Sequence, residues 1–357
     1  MTDTDATQED VHEWVQEYYG EILKQSADLK TNACCALGAP PPRIAEALRN
    51  VHDDVLSRFY GCGFPIPEAV EGRTVVDLGC GTGRDVYLLS QFVGQNGFVH
   101  GVDMTRSQLE VAERTLDWHT NRFGYDKPNV AFHEGYIEDL SFLPDASVDI
   151  VVSNCVVNLS PRKDIVLKEV FRILKPGGEF YFSDVFVDRR LPSEIAFDPL
   201  LHSECLGGAL YDFDFEQLAK AVGFKDPRAV ERGPITIQNH EIERKVGAAR
   251  FSSITLRLFK LAGLEARCED YGQLAIYRNE IPGVGPVFML DDHHLFERNR
   301  PERVCGNTAA MLRDTRFADH FEVIGDESVH YGVFDCGPTM AAQQYLTAPS
   351  ATGGSCC

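Results

Sequence analysis

Short apolar runs alternate with helical patterns of apolar and polar positions through the middle of the chain. The runs are rich in Val, Ile and Phe, as buried strands are, and the segments between them repeat apolar residues at helical spacing. Strands are predicted at 74–78, 98–103, 130–135, 148–156 and 179–186, and helices from the turn after 83 to 92, at 105–123 and at 164–174. This alternation predicts an α/β fold with an open, largely parallel Rossmann-like sheet.

The segments on either side of this unit are less regular. Residues 8–30 and 44–60 have helical patterns, and the run TNACCALGAPPPR between them breaks regular structure with its glycine and prolines. We expect this N-terminal part to fold over the mouth of the sheet as a cap. Residues 195–224 read as mostly helical, and later strands are predicted at ITIQN (235–239), FSSITLRLFKL (251–261) and QLAIYR (273–278).

The chain is long enough for more than one domain, and these patterns divide it into five parts. They are an N-terminal cap (1–65), a nucleotide-binding unit (66–190), an α+β region (191–262), a C-terminal domain of short strands (263–345) and a small, polar, disordered tail (346–357). The expected architecture is a Rossmann-like sheet with an N-terminal cap and a smaller α+β C-terminal region.

The chain is strongly acidic, with 54 acidic residues against 34 basic ones and a formal net charge of -20. Such a charge repels phosphate backbones and anionic lipid surfaces, so neither nucleic acid nor a membrane is an expected partner. No apolar segment approaches the roughly 20 residues that span a bilayer, and the N-terminus has no secretory or transit pattern. We expect a cytoplasmic monomer.

The chain contains eleven cysteines but no CxxC pair. In a reducing compartment, cysteines in this pattern indicate chemistry or ligand binding more than a disulfide framework, and a zinc ribbon is disfavoured. We therefore expect no metal cofactor. Cys80 lies inside the glycine loop and reads as a small packing residue.

A glycine loop follows the first predicted strand in the run DLGCGTGRD. Gly79, Gly81 and Gly83 let the backbone approach a ligand closely, and the helix that follows favours negative charge at its N-terminus. Dinucleotide loops usually have the spacing GxGxxG, whereas the spacing here is GxGxG, which disfavours NAD. A loop in which the glycines serve only the turn is the structural alternative.

Other candidate donor-binding residues lie where the predicted strands end. Asp103 ends the second strand, where its carboxylate can accept hydrogen bonds from both hydroxyls of a ribose. Glu138, or the backbone amide of Ile137, follows the third strand and could meet an adenine ring. The residues expected to hold the donor are Asp77, Gly79, Gly81, Gly83, Asp103, Met104, Ile137, Glu138 and Asn154.

The DLGCGTG loop, the acidic residue ending the second strand and KPGGEF before the fifth strand resemble class I S-adenosylmethionine-dependent methyltransferases. The resemblance implies S-adenosyl-L-methionine as methyl donor and a Rossmann-like class I methyltransferase sheet.

Four cysteines surround this unit in separate contexts: Cys34 in TNACC, Cys62 in YGCG, Cys155 in VSNCVVN and Cys205 in SECLGGAL. Cys155 ends the fourth strand at the edge that faces the donor, and the glycines after Cys205 can bring backbone close to a pocket. Taken singly, Cys155 reads most simply as a buried packing residue, and Cys205 is a weak signal. Together they suggest a soft, thiophilic substrate.

The extended contexts resemble arsenite methyltransferases. The motifs are TNACC, NVHDDVLSRFYGCGFPIPE, DLGCGTGRDVYLLSQFVG, VVSNCVVNLSP, SECLGGALY and PITIQNHEIERKVGAARFSSITLRLFK, which together cover about residues 17–261. The C-terminal part matches more weakly, although a thiol tail like GGSCC also occurs in the family.

The resemblance implies methylation of trivalent arsenic, from arsenite or its thiol conjugates to methylarsenite and dimethylarsenite, in arsenic detoxification. It implies that Cys155 and Cys205 hold arsenic with Cys62 as third ligand, and that residues 191–262 contribute to arsenic binding. Cys34 would act with Cys62 in a disulfide exchange that returns the product to the trivalent state, with glutathione or thioredoxin as external reductant. Because the first cysteine is doubled, Cys35 is an alternative to Cys34.

Two other functions stay open at this point. One is methylation of a carbon or oxygen nucleophile, such as a quinone or sterol precursor, which would need a base near the methyl group. The other is metalloid binding without catalysis, which the intact donor loop disfavours. The run 291–294 (DDHH) is expected to be an exposed polar loop, the aromatic residues of 211–215 are expected in the core, and Cys356 and Cys357 in a solvated tail.

Overall fold

A mixed eight-stranded sheet forms the centre of the protein. The structure is a computed structural model that describes residues 8–23, 28–31 and 40–337. The strand order is β3-β2-β1-β4-β5-β8-β7, and β6 pairs with β5 beside this path. The strands are β1 (Thr74–Leu78), β2 (Phe98–Asp103), β3 (Val130–Glu134), β4 (Val148–Asn154), β5 (Leu174–Val187), β6 (Leu210–Tyr211), β7 (Arg228–Ile235) and β8 (Phe251–Phe259).

Helices cover both faces of the sheet. A π-helix (Tyr18–Ile22) continues α1, and a 3-10 helix (Val157–Leu159) follows β4. The α-helices are α1 (Gln8–Glu17), α2 (Pro42–Leu48), α3 (Asp53–Leu56), α4 (Arg84–Val93), α5 (Arg106–Arg114), α6 (Leu116–Phe123), α7 (Lys163–Ile173), α8 (Ser193–Ala196), α9 (Pro199–Ser203), α10 (Asp212–Val222), α11 (His240–Val246) and α12 (Gly306–Arg313).

Short strands dominate the C-terminal part, around a core of its own that includes Phe288, Phe296 and Phe317. A three-stranded sheet has the order β13-β10-β14, and two hairpin-like pairs join β11 to β12 and β9 to β15. The strands are β9 (Glu269–Asp270), β10 (Leu274–Tyr277), β11 (Val287–Met289), β12 (Leu295–Glu297), β13 (Pro301–Arg303), β14 (Phe321–Ile324) and β15 (Gly332–Val333).

The strands of the nucleotide-binding unit confirm the expected Rossmann-like class I fold. Strands β1 to β5 are parallel, and neighbouring residues of β1 face opposite layers, because Val75 packs in one core cluster and Val76 in the other. The strand order reverses between β1 and β4, which is where such sheets bind ligands. Strands β8 and β7 continue the sheet in antiparallel orientation, so the sheet does not stop at residue 190.

Several predicted elements differ in detail from the structure. The helix expected at 105–123 is broken at Thr115, whose hydroxyl donates to the carbonyls of Val111 and Ala112 and so competes with the helical ladder. The helix expected at 44–60 is two short helices, α2 and α3. The strand expected at 235–239 is wrong, because β7 ends at Ile235.

Two expectations about individual segments are also wrong. Asp291 and His294 do not lie in an exposed loop; both are buried, and His294 Nδ1 is 2.7 Å from Asp291 Oδ1. In the aromatic run only Phe215 belongs to the core, since Phe213 is 51% exposed. The polar run folds inward here because Asp291 pairs with the buried Arg228. The polarity of the run itself does not reveal this partner.

Buried charges join the C-terminal part to the main sheet. Arg257 on β8 and Arg316 both contact the fully buried Glu179 of β5, at 2.9 and 2.5 Å. Arg257 also lies 3.2 Å from Glu68, in the segment before β1. Removing one member would leave a buried charge without its partner, which typically costs about 3–5 kcal/mol. Within the described ranges, no helix is both long and apolar enough to cross a bilayer.

Candidate functional site

A pocket opens at the carboxyl ends of β1, β2 and β4, where the strand order reverses. Its floor is the glycine loop, in which Gly79, Gly81 and Gly83 all have positive φ values of 67, 52 and 87°. A side chain at Gly79 would also meet Val156 at 2.3 Å. The loop thus needs glycine for its backbone conformation, and at Gly79 for space as well.

Asp103 lies on one side of this floor and is tied to it. Its carboxylate accepts hydrogen bonds from the backbone amides of Gly81 and Thr105, both at 2.8 Å. Burial raises the pKa of Asp103, while these two hydrogen bonds lower it. Because a carboxylate has about four acceptor positions, Asp103 retains positions for two further donors.

The back of the pocket is a buried acidic group. Burial, and then the neighbouring Asp85, raise the pKa of Asp77 well above its ordinary value. Asp85 itself is paired with Arg84, whose Nε lies 2.7 Å from it, and the Arg84 guanidinium stacks over the ring of Phe59. A ligand with positive charge would stabilise the ionised form of Asp77.

Helix α1 and the π-helix cover the opposite side of the pocket, as the expected cap does. His12 Nε2 is 3.1 Å from Glu138 Oε1, which also accepts from the Ser160 hydroxyl at 2.5 Å. Gln16 donates to the carbonyl of Met104 at 3.0 Å. His12 and Glu138 both line the pocket, together with the buried Ile137.

Polar atoms of the pocket wall lack a hydrogen-bond partner among the described residues, including the hydroxyl of Tyr60 and Oε1 of Gln108. Gln108 donates from Nε2 to the carbonyl of Tyr19, at 2.9 Å, while its buried Oε1 accepts no hydrogen bond from the described part of the chain. A buried acceptor of this kind usually has a partner, so this one is available to a ligand. Nothing in the sequence pattern marked Gln108, because its role depends on the cap that lies over α5.

Three of the four predicted thiols meet beside this pocket. Cys62 and Cys155 form a disulfide bond, with a Cα–Cα distance of 5.9 Å, and Cys205 Sγ lies 3.3 Å from the carbonyl oxygen of Cys155. All three side chains are buried, and Cys155 lines the pocket. Cys34 and Cys35 lie outside the described residues. The Cys62–Cys155 pairing is a contact that the sequence did not predict.

Cys155 and Cys205 share an unusual backbone conformation. Their φ values are 59 and 62°, in the left-handed region that non-glycine residues rarely adopt. Such strain is concentrated at functional sites, where the surrounding structure enforces it. Close backbone contact supports it here, because a side chain at Gly208 would meet the carbonyl oxygen of Asn158 at 2.0 Å.

Asn154 holds the loop that carries Cys62. Its Oδ1 accepts from the Gly63 amide at 3.1 Å, and its Nδ2 donates to the Gly63 carbonyl and to Asp85, both at 2.9 Å. Side chains at Gly61 or Gly63 would clash with Asn154 and Ser183, respectively. Asn154, which was expected at the donor, lines the pocket, and its side-chain contacts also position the loop of Cys62.

A buried carboxylate next to Cys205 anchors the segment that leads to Cys34. Glu204 is fully buried and accepts from the amides of Lys30 and Thr31 at 2.6 and 2.8 Å. It also accepts from the Thr31 hydroxyl at 2.6 Å and from the hydroxyl of Tyr18. Sequence reasoning missed Glu204, since a single glutamate gives no signal of its long-range partners.

The fold and this pocket define the class of protein. A glycine loop, an acidic residue ending β2 and a capped pocket at the β1/β4 switch point form the donor site of a class I S-adenosylmethionine-dependent methyltransferase. A family model described as a methyltransferase domain matches residues 69–232. A second, described as an arsenite methyltransferase C-terminal domain, matches residues 271–346.

Individual relatives identify the family. An arsenite methyltransferase of Aquipseudomonas alcaligenes is 54% identical over 350 residues, covering 97% of this chain and all of the relative. The arsenite methyltransferase of Homo sapiens is 49% identical over 86% of this chain and 82% of its own length. The crystal structure of an arsenic(III) S-adenosylmethionine methyltransferase from Chlamydomonas reinhardtii has a TM-score of 0.80, with 51% identity, over 83% of this chain and 100% of that one. The chain belongs to the arsenite methyltransferase family.

Proposed function

We propose that this enzyme methylates trivalent arsenic held by the thiolates of Cys155, Cys205 and Cys62, with S-adenosylmethionine as donor. The observation that carries the assignment of the thiols is their convergence at the wall of the donor pocket. Thiolates are the preferred ligands of a soft centre, and no general base is needed to activate arsenic. No structural feature favours a carbon or oxygen nucleophile.

The pocket residues fit the donor. A side chain added at Gly81 would meet no atom of the described chain within 4 Å, so this position leaves open space, and Gln108 offers an unpaired acceptor among the described residues. Asp103 has acceptor positions for the ribose hydroxyls. Asp77 lies where a positively charged ligand is favoured, and Ile137 and Glu138 would border the adenine. When bound, S-adenosylmethionine supplies an electrophilic methyl group on a positively charged sulfur.

The thiols position the substrate, and positioning is the main contribution the protein makes. Arsenic bound by three thiolates is pyramidal and keeps a lone pair, which must face the methyl group. Cys155 belongs both to the thiol group and to the pocket wall, so a ligand on its sulfur is held close to the donor. Fixing two reactants at near-attack distance can supply about 7–11 kcal/mol of the barrier.

The disulfide bond between Cys62 and Cys155 adds a reduction step before arsenic can bind. Cys62 and Cys155 can bind arsenic only after their bond is reduced to two thiols, which requires two electrons from an external dithiol or from two glutathione molecules. A Cys34 thiolate attacking Cys62 would release Cys155 as a thiolate and form a Cys34–Cys62 disulfide, which the external thiol then reduces. We accordingly place the enzyme in the cytosol, where such thiols are abundant.

The position of Thr31 supports the assignment of Cys34. Thr31 is bound to Glu204, the residue before Cys205, and Cys34 is the third residue after Thr31 in the sequence. Three extended residues span at most about 10–11 Å. The described end of this segment therefore lies next to the residue before Cys205, which supports a role for Cys34. Cys35 has nearly the same reach, and the double variant Cys34→Ser/Cys35→Ser decides whether either is needed.

The test is incubation of the reduced enzyme with arsenite, S-adenosylmethionine and glutathione, followed by speciation of the arsenic products. Methylated arsenic is expected, and it should stop after about one turnover without the thiol. Cys205→Ser should abolish the methylation of both arsenite and methylarsenite. Cys305→Ser, a buried cysteine of the C-terminal part, is the matched control. Wild-type rates in Cys205→Ser would overturn the assignment of the thiols.

A further inference from the structure

A second group of thiols lies in the C-terminal part of the chain. Cys268 precedes β9, Cys336 follows β15, and Cys305 is the N-cap of α12. The amide of Phe334 donates to the Cys268 carbonyl at 2.9 Å and so extends the β9–β15 pairing toward Cys336. Strand pairing thus brings together cysteines from distant parts of the sequence, next to the start of a helix.

The three thiols contact one another and a single buried arginine. The side chains of Cys268, Cys305 and Cys336 are neighbours of one another. Nη2 of Arg228 lies 3.7 Å from Sγ of Cys268 and 3.7 Å from Sγ of Cys305. The sulfur of Cys305 also accepts a hydrogen bond from the amide of Thr308, at 3.4 Å.

The surroundings favour the thiolate form of Cys305, whereas the neighbouring Cys305 and Cys336, and then burial, raise the pKa of Cys268. Hydrogen bonds from Cys268 and Cys336 lower the pKa of Cys305, and the charge of Arg228 lowers it further. Arg228 is held in place by Asp226 at 2.6 Å and Asp291 at 3.0 Å, so its position does not depend on a ligand. The N-terminus of α12 adds a favourable partial charge at Cys305.

We propose that Cys268, Cys305 and Cys336 form a second binding site for trivalent arsenicals, separate from the thiols beside the donor pocket. Soft thiolates select a soft centre. Within the described part of the chain, no group of three or more His, Cys, Asp or Glu side chains is placed so that it could hold a metal ion. Trivalent arsenic does not need side chains that surround it. It is pyramidal and sits above a triangle of three sulfurs, and these sulfurs can be in contact with one another.

The binding step balances without electron transfer. Arsenous acid exchanges its three hydroxyl groups for three sulfurs, each hydroxyl leaves with one thiol proton as water, and arsenic stays trivalent. Cys268 and Cys336 are partly exposed, whereas Cys305 is fully buried beneath them. Arsenic would therefore meet the two outer thiols first and then Cys305. A site of this kind can bind arsenic where no donor is within reach.

The test isolates the cluster in the full-length, reduced chain. All other cysteines except Cys80 are replaced by serine, namely Cys34, Cys35, Cys62, Cys155, Cys205, Cys356 and Cys357. Arsenite is added without donor, unbound arsenic is removed by gel filtration, and arsenic per chain is measured by mass spectrometry. Cys305→Ser is then introduced into this background, with Cys80→Ser as the matched buried control. Serine is a good N-cap, so α12 should still form at position 305.

The background chain should bind about one arsenic, since three thiols hold one pyramidal centre. Cys305→Ser should weaken binding at least about tenfold, because a hydroxyl is a poor ligand for arsenic, whereas Cys80→Ser should not change it. A background chain that is folded by circular dichroism but binds no arsenic would overturn the proposal. Equal binding by the two variants would also do so.

The outcome does not depend on methyl transfer. In the otherwise native chain, Cys305→Ser should lower the bound arsenic by about one equivalent while the initial rate of methylation at saturating arsenite is unchanged. If the chain methylates arsenite but Cys305→Ser binds as much arsenic as the wild type, the second site is refuted and the proposed function is left intact. If the chain binds arsenic at these three cysteines but makes no methylated product, the second site is supported and the proposed function is refuted.

Discussion

Glu204 offers a sharp test of how the cap is held against the thiol group. Its carboxylate accepts four hydrogen bonds, from the Tyr18 hydroxyl, the Lys30 and Thr31 amides and the Thr31 hydroxyl. In Glu204→Gln, one oxygen is replaced by an NH2 group that faces donors instead of accepting from them. Shape is nearly preserved, so the variant removes hydrogen bonding and charge with little change in packing.

The magnitude follows from these contacts. Hydrogen bonds to a charged group contribute about 1.5–3 kcal/mol each, and neutral ones about 0.5–1.5 kcal/mol. Glu204→Gln would lose two of the four hydrogen bonds, and the other two would no longer be made to a charged group. If all of this loss were retained, it would exceed the free energy needed for the segment of Lys30 and Thr31 to detach and become hydrated. Detachment therefore limits the loss of local stability to about 2–3 kcal/mol, the net contribution of one or two charged hydrogen bonds.

Hydrogen exchange measures this directly at the Lys30 and Thr31 amides. A loss of about 2–3 kcal/mol should speed their exchange about 30- to 150-fold, because each 1.4 kcal/mol is a factor of ten. Tyr18→Phe removes one donor from the same carboxylate and should have a smaller effect, of about tenfold or less. Methylation of arsenite should fall more than that of methylarsenite, whose existing methyl group reduces the demand for thiols.

Two results would refute this reasoning. Unchanged exchange of the two amides in Glu204→Gln would mean that the carboxylate does not hold the segment. Equal slowing with arsenite and methylarsenite, together with faster exchange, would mean that the segment supports the fold as a whole and not the step assigned to Cys34.

The remaining predictions concern the donor, the thiols and the cap. Asp103→Asn should weaken S-adenosylmethionine binding at least about tenfold, by loss of one charge-assisted hydrogen bond, and calorimetry showing unchanged affinity would refute the ribose assignment. Asn is preferable to Ala, since Asp103 also holds the amides of Gly81 and Thr105. Cys155→Ser should abolish methylation of both arsenite and methylarsenite without lowering donor affinity; activity retained with either substrate would contradict its role as ligand. His119 is buried and neutral, with its ring between the Thr115 carbonyl and the His52 amide, and burial lowers its pKa to about 4. The unfolded chain protonates this imidazole near pH 6.5, whereas the folded chain protonates it only near pH 4. The free energy of unfolding that the wild type gains over His119→Gln should therefore be fully present above about pH 6.5 and fall by up to about 3 kcal/mol toward pH 4. Urea unfolding at several pH values measures this, and parallel curves would exclude it.

The central sheet could be predicted from the sequence because its signals are local. Strands of β-branched residues, glycines at a turn and the Pro-Gly-Gly run near the start of β5 identify elements without knowledge of their partners. Strand β2 starts and ends where expected, at Phe98 and Asp103. Helix α12 was missed because it is short and begins with the weak helix formers Gly, Asn and Thr, and burial of Met311 and Leu312 stabilises it.

Residues of the site could be predicted from the sequence where they lie within a recognisable motif. The cysteines and the glycine loop do, but Glu204 and Gln108 act through partners that are far away in the sequence. The inward fold of Asp291 depends on Arg228, which is 63 residues earlier. Long-range pairing of single polar residues leaves no periodicity or spacing for sequence reasoning to use.

The left-handed backbone at Cys155 and Cys205 has a consequence for how this chain can change. Glycine adopts that conformation freely, whereas a side chain there costs about 1–2 kcal/mol. Substitution of either cysteine by glycine would relieve the strain while removing an arsenic ligand. At Cys155 the loss of the bond to Cys62 would outweigh this relief, whereas at Cys205 the relief of strain directly opposes retention of the ligand. Variants chosen only for stability should therefore be sequenced at 205 before their activity is interpreted.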